Sequence, residues 1–296
     1  MACPDCRSEN TRAIGPIPPA SVFAGHPLEK SLPGGVLVKC SDCQLTFRAP
    51  IYEPSYYDKL YATASATEWD HDEVRFDHQL IAAALHEHLD GGDVLDIGCG
   101  AGALLAQLTK QFRRFGIEIS EDARRVAESR AVEIVGAKFE ELPSIGPRFD
   151  AVLACDVIEH HPRPREFLAQ CLSAVKPGGL LLLTTGNPDA ALWRFARGNF
   201  WYCQFIEHLT FITPRWLRMH AQGCSVVAIR KFAYGKLTAV QKLKTLARLL
   251  HYHVAPKSYA RRVARIRRWQ GPLPYCPNPP GMGMTRDHFI AVLRKR

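Results

Sequence analysis

The sequence predicts an α/β fold with a mostly parallel sheet, preceded by a small separate segment, and three observations carry that expectation. From residue 91 onward, short apolar runs alternate with stretches of helical spacing, the order of a doubly wound sheet. One run, Val94-Leu-Asp-Ile-Gly-Cys-Gly-Ala-Gly102, ends in an acid followed by three glycines. Ahead of all this stand two C-x-x-C pairs, Cys3/Cys6 and Cys40/Cys43.

The first strand is Val94–Ile97, and Gly98, Gly100 and Gly102 let the backbone turn sharply and approach a ligand. Ala103–Leu108 has helical character, which would aim free N–H groups at that ligand. Asp96 at the strand tip would repel a pyrophosphate and attract an ammonium or sulfonium. The glycines fall at every second position, unlike the dinucleotide fingerprint G-x-G-x-x-G. A second short strand, Phe115–Ile119, ends near Glu118, 20 residues after Gly98. Val132–Gly136 reads as a third strand and Ala137–Pro143 as the loop after it. Phe149–Cys155 is the fourth, followed by Asp156, and Val175–Thr184 turns into the fifth. Cys224–Arg230 and His288–Arg294 read as the sixth and seventh.

In this order, the segments resemble motif I, motif IV and the intervening landmarks of class I S-adenosylmethionine-dependent methyltransferases, over about residues 91–230. The resemblance implies a Rossmann-like class I methyltransferase sheet with an antiparallel last strand, and S-adenosylmethionine as cofactor. It places Asp96, Gly98, Cys99, Gly100, Gly102, Glu118, Ile119, Phe139 and Asp156 around that cofactor, with Glu118 at the ribose hydroxyls and Phe139 along the adenine. Helix capping is the alternative role for the two acids, core packing for Phe139, and a plain small loop residue for Cys99.

The paired cysteines read as tetrahedral zinc, because two intervening residues let one tight turn present both thiolates to one ion. The segment around them is rich in Pro and Gly (Gly15-Pro-Ile-Pro-Pro19, Pro33-Gly-Gly35) and is too short to build a core without a metal. Residues 1–48 therefore resemble a zinc ribbon with Cys3, Cys6, Cys40 and Cys43 as ligands. Ribbons usually place Gly after the second cysteine of each pair, and here Arg7 and Gln44 stand there. Separate thiols or a redox pair are the alternative.

Residues 49–90 form an aromatic linker, with Tyr56, Tyr57 and Tyr61, and a helix across Asp77–Leu89. In similar enzymes this segment covers cofactor and acceptor; gluing linker to core would serve the tyrosines equally. If the methyl acceptor is a hydroxyl, a base near neutral pH should take its proton. His160, just past the fourth strand, and His208 are the candidates, with helix capping or loop ordering as the other role. Cys155-Asp-Val-Ile158 lacks the [N/D]-P-P-[Y/F] turn of enzymes that methylate nucleobase amines, and Pro277-Asn-Pro-Pro280 lies too far downstream to replace it.

At 296 residues, 47% hydrophobic and 23% charged, the chain has an ordinary globular balance. It shows no signal-peptide plan at Met1–Cys6 and no run of the roughly 20 apolar residues that a membrane span needs, so the expected location is the cytoplasm. Charge is uneven: residues 230–296 hold 16 Lys and Arg against the single acid Asp287, a balance of +15, while residues 1–229 carry −6. The basic excess falls in an insertion at about 232–286 of the core (91–296). There Leu237, Val240, Leu243, Ala247 and Leu250 repeat at helical spacing, and Arg261–Trp269 follows. A lid, an interfacial helix on anionic lipid, a phosphate-binding surface or a solvated helix on the core would each fit.

The sequence thus points to a methyltransferase that O-methylates a sugar, polysaccharide precursor or lipid-linked small molecule, peripheral to a membrane if the insertion meets lipid. Ribosomal RNA methylation is the alternative within enzymes, less favoured as a partner class, and a non-catalytic cofactor-binding adaptor the alternative outside them. Oligomeric state is not legible.

Overall fold

The computed structural model describes residues 1–23, 26–53, 55–57, 75–234, 237–266 and 284–296. Tyr61, Arg267–Trp269 and Pro277–Pro280 lie outside them. The strands in chain order begin with β1 (Thr11–Ile17), β2 (Ala20–Phe23), β3 (His26–Leu32), β4 (Gly35–Cys40) and β5 (Thr46–Ala49). They continue with β6 (Gly92–Ile97), β7 (Phe112–Ile117), β8 (Glu133–Gly136), β9 (Phe149–Cys155) and β10 (Val175–Gly186). Last come β11 (Thr210–Phe211), β12 (Cys224–Phe232) and β13 (His288–Lys295). Among the described residues the helices of eight or more residues are α1 (Phe76–His86), α2 (Glu121–Ser129), α3 (Pro164–Ala174), α4 (Ala239–Val254) and α5 (Pro256–Ile266).

Two compact units divide the chain. The first takes Met1–Ala64, Gly186–Thr213 and Phe232–His288; the second takes Ser65–Thr185, Pro214–Lys231 and Phe289–Arg296.

In the second unit a seven-stranded sheet runs in the order β12-β13-β10-β9-β6-β7-β8. The pairs β6/β7, β6/β9, β7/β8 and β9/β10 are parallel. β13 runs the other way: Lys295 Nζ donates to Val175 O at the start of β10, and Arg296 N donates to Gly223 O just before β12. Leu95, Leu153 and Leu180 through Leu183 have no exposed surface, because strands covered on both faces read as continuous apolar runs. The strand order reverses between β6 and β9, so ligands of such sheets gather at the carboxyl ends of these two strands. α2 is capped by Ser120, whose hydroxyl accepts from Ala123 N, with Glu121 and Asp122 in its first turn.

The first unit is built on a four-stranded sheet, β1-β4-β5-β11, with β2 and β3 forming a separate hairpin. Its core gathers Ile17, Leu37, Trp193, Phe200, Phe211 and Leu249, with Trp193 stacked on Phe200 at 4.5 Å. Arg48 on β5 is buried and donates to the carbonyls of Cys203, Phe205 (2.9 Å) and His208 (3.3 Å). One guanidinium thereby satisfies three main-chain acceptors of a loop that has little ladder of its own. α4 opens with a capping box of Thr238 and Gln241.

Candidate active site and cysteine cluster

β6 ends in a turn whose shape depends on glycine. Gly98, Gly100 and Gly102 have φ of 70°, 53° and 79°, the left-handed region that a side chain resists. A Cβ on Gly102 would also stand 3.0 Å from Val132 Cγ2. Gly98 N and Cys99 N both donate to Ile117 O at the end of β7, which folds the loop back across the strand tips. The sulfur of Cys99 packs over Gly116, where a Cβ would come within 2.5 Å of it, so the main chain of Cys99 is the part available to a ligand. After Gly102 the chain does not enter an α-helix as its composition suggests; it makes turns and one short 3₁₀ segment, Leu105–Gln107.

Asp96 is 2% exposed, and its Oδ1 is buried with no hydrogen-bond partner among the described residues. Burial pushes its carboxyl up to about 8, Arg75 opposing and Glu118 and Asp77 adding to the rise. An orphaned acid beside three glycines in left-handed conformation fits a cationic ligand. Glu118 clamps the loop, accepting from Gly100 N at 2.9 Å and from Ser120 N at 2.8 Å. Ile119 next to it is exposed. Phe139 is half-buried and meets His161 and Phe167 edge-on, at 4.9 and 5.5 Å. Asp156 follows β9 with φ of 53° and accepts from Arg75 at 3.1 Å.

A cluster that the sequence does not announce lies where α1 begins. Arg75 holds Asp77 through two hydrogen bonds and reaches Asp156. Asp77 is fully buried, and its Oδ2 also accepts from Cys155 Sγ at 2.9 Å, which lies 3.1 Å from Thr184 Oγ1. Burial would raise Asp77, but Arg75 and Cys155 hold it down at about 2. Burial pushes the neighbouring His78 down to about 4, Arg75 adding to the effect. The only sequence signal is an Arg-x-Asp at a helix start.

The two histidines fall in different units. In the second, His160 is pushed down to about 4 by burial, against a hydrogen bond to the Asp156 carbonyl, and buried Glu159 accepts from Thr185 Oγ1 at 3.0 Å. In the first, His208 Nδ1 lies 2.9 Å from Tyr202 O. A carbonyl only accepts, so Nδ1 carries the proton and Nε2 of the neutral ring is the acceptor. Its ring centroid is 4.1 Å from that of Tyr202, and the adjacent Glu207 is pushed up to about 7 by burial.

The four paired cysteines converge in the first unit. Cys3 and Cys43 sulfurs are 3.6 Å apart, as are those of Cys6 and Cys40, and all four lie within 4.8 Å of one another. The two turns are copies: Cys3 N donates to Ser8 O and Cys40 N to Leu45 O, at 2.8 and 2.9 Å. Arg7 and Gln44 have φ of 62° and 66°, so they hold the left-handed conformation for which such turns favour glycine.

The family described as "Methyltransferase domain" matches residues 68–229. Among curated proteins, the chain is 30% identical over 187 residues to a ubiquinone biosynthesis O-methyltransferase of Alkalilimnicola ehrlichii, covering 57% of this chain and 76% of the relative. A protein of the same name from Burkholderia orbicola is 35% identical over 167 residues, 50% of this chain and 71% of its own. Among solved structures, the Burkholderia thailandensis 1,6-didemethyltoxoflavin-N1-methyltransferase with bound S-adenosylhomocysteine matches with a TM-score of 0.52. It is 17% identical, and the match covers 86% of this chain and 97% of that one, a likeness of fold. With this sheet order and a family match across more than half its length, the chain belongs to the methyltransferase domain family and is an S-adenosylmethionine-dependent methyltransferase.

Proposed function

We propose that this methyltransferase acts on a hydroxyl of a small molecule, namely a sugar, a polysaccharide precursor or a lipid-linked compound, and that its four-cysteine sheet holds a structural zinc ion. The observation that carries the cofactor assignment is the buried, unpartnered Asp96 beside the glycine turn at the sheet's switch point. S-adenosylmethionine supplies an electrophilic methyl group on a sulfonium. Asp96 answers the positive methionine end, and the lone pairs that Glu118 keeps beyond Gly100 N and Ser120 N face the ribose hydroxyls. Ile119 and Phe139 flank the adenine, and Asp156 closes the turn after β9. The O-methyltransferase names of the two relatives support a hydroxyl acceptor. His160, unprotonated at neutral pH, and His208, with Nε2 as acceptor, are the side chains proposed to take the hydroxyl proton.

Glu118→Ala should weaken S-adenosylmethionine binding by about 1.5–3 kcal/mol, the loss expected for hydrogen bonds to a charged group. Asp96 gives a second signature. Its carboxyl is protonated below about 8 in the free protein, and a cation beside it favours the charged form, so binding should release a proton and tighten as pH rises from 6 toward 8. Calorimetry in buffers of different ionisation enthalpy reads both effects. Unchanged affinity in both Glu118→Ala and Asp96→Asn, with the pH dependence of wild type kept in Asp96→Asn, would remove the assignment.

The acceptor is tested by incubating the protein with methyl-labelled cofactor and separated cell fractions. Label should enter a polysaccharide-precursor or lipid fraction. Label in RNA would replace this reading with RNA methylation, and no label anywhere despite cofactor binding would favour an adaptor.

For zinc, four thiolates about 2.3 Å from a tetrahedral ion lie about 3.8 Å apart, close to the 3.6 Å sulfur pairs. The N–H groups of Ser8 and Leu45 also aim at the sulfurs of Cys6 and Cys43, an arrangement that stabilises thiolates.

A further inference from the structure

α4 carries two apolar faces, and among the described residues one of them is packed and the other exposed. Leu249 and Tyr252 are buried in the first unit, and Tyr252 meets Tyr259 of α5 at 5.6 Å. On the opposite side Val240, Leu243, Leu246, Leu250 and Val254 are 60%, 67%, 43%, 50% and 84% exposed. At 100° per residue these five fall within an arc of about 120°. A solvated helix turns polar residues outward; five large aliphatics in one arc form a patch that something covers.

The flanks show what. Lys242 and His253 border the arc on one side, and Lys244, His251 and Arg248 on the other. From Ala239 to Ile266 there are seven Lys and Arg and no acid, and Lys257, Arg261, Arg262 and Arg265 of α5 are also exposed. An aliphatic stripe with cations along both edges matches the boundary of an anionic bilayer, where acyl chains meet the stripe and phosphates the cations. Single-stranded RNA would call for aromatic platforms among the cations, and this arc has only aliphatics. An identical helix laid against it would bring like charges together at both edges.

We infer that the outward face of α4 docks the protein on an anionic phospholipid surface. The helix lies beyond residues 68–229, which match the family. Among the described residues no helix is long and apolar enough to cross a membrane, so the docking is peripheral. It deepens the proposed acceptor class by placing the enzyme where a lipid-linked substrate is found. Its test needs no cofactor, so its failure would leave the methyl-transfer reading standing.

The test is flotation of the full chain with vesicles of phosphatidylglycerol and phosphatidylcholine, and with phosphatidylcholine alone, across a salt series. Wild type should float with the anionic vesicles only, less so at high salt. Leu243→Ser with Leu250→Ser keeps every charge and should lower partitioning at least tenfold. Lys242→Gln, Lys244→Gln and Arg248→Gln together keep the stripe and should lower it by about fivefold per charge. All five positions are exposed, and circular dichroism should show both variants folded. Wild type that ignores anionic vesicles overturns the inference, as does a leucine variant that floats like wild type. Retention of RNA dependent on Arg262 and Arg265 without vesicle binding would assign the surface to nucleic acid. A dimer that the serine changes dissolve, again without vesicle binding, would assign it to a second copy.

Discussion

Cys3→Ser with Cys40→Ser is expected to abolish zinc binding at the proposed four-cysteine site and to unfold the β1-β4-β5-β11 sheet. A structural zinc contributes about 10–16 kcal/mol of apparent binding free energy, as much as or more than the whole stability of an ordinary domain. Each turn of the cluster supplies two of the four sulfurs, so one substitution per turn leaves a single thiol on each side. The damage should spread along β5: β11 pairs with it through Thr210 and Phe211, and its Arg48 holds the carbonyls of residues 203, 205 and 208. Limited proteolysis should therefore open residues 1–48 and the 201–211 segment together, while elemental analysis reports loss of zinc. Full zinc occupancy in the double variant would move the metal elsewhere.

Arg75→Ala should destabilise the second unit by about 1.5–3 kcal/mol, less than the range for a fully buried ion pair because the Arg75 side chain is 37% exposed and water screens its charge. Asp77 has no exposed surface and, among the described residues, would keep the Cys155 thiol as its hydrogen-bond partner. Arg75→Ala with Asp77→Asn should recover most of the loss, since no charge is then stranded. The acid limb carries the same signature with its sign fixed. Asp77 is held at about 2 against an ordinary 3.8. The stability it contributes is thus complete above about 4 and lost as pH falls toward 2. In Arg75→Ala that acid-dependent loss should shrink. Denaturant titrations followed by circular dichroism, at neutral pH and down the acid range, measure all three; Arg75→Ala within 1 kcal/mol of wild type would show that the pair is not what holds α1.

What could be read from the residues alone follows from how local each signal is. β6, β9 and β10 each carry a short apolar run (Val94–Leu95, Ala151–Cys155 and Leu180–Leu183), and the three glycines after Asp96 state a backbone requirement that no neighbour can alter, so sheet and turn were legible. The C-x-x-C pairs likewise fix sulfur positions within one turn, although Arg7 and Gln44 hide the left-handed backbone that glycine would have advertised. The α4 stripe shows the limit: Val240, Leu243 and Leu250 were visible at helical spacing, yet which face packs depends on Trp193 and Leu37, far away in the chain. Leu249 and Tyr252 therefore turned out to be the inner face. Ala103–Leu108 reads as α-helix by composition and is instead turns around the 3₁₀ segment Leu105–Gln107. Arg75, Asp77 and Cys155 meet only once the sheet has formed, and a two-residue strand such as β11 has no pattern to detect.

β13 has a consequence for how the molecule is made. It follows every other described strand in the chain, yet it sits inside the sheet, between β10 and β12. Until residues 288–295 emerge, β10 shows a bare hydrogen-bonding edge beside the fully apolar Leu180–Leu183, and such an edge invites pairing with other chains. β11 imposes a similar wait on the amino-terminal sheet, which stays one strand short until residue 211 is synthesised. Each sheet thus waits for a strand far along the chain, and β5 and β10 stay open at one edge until residues 210–211 and 288–295 are synthesised.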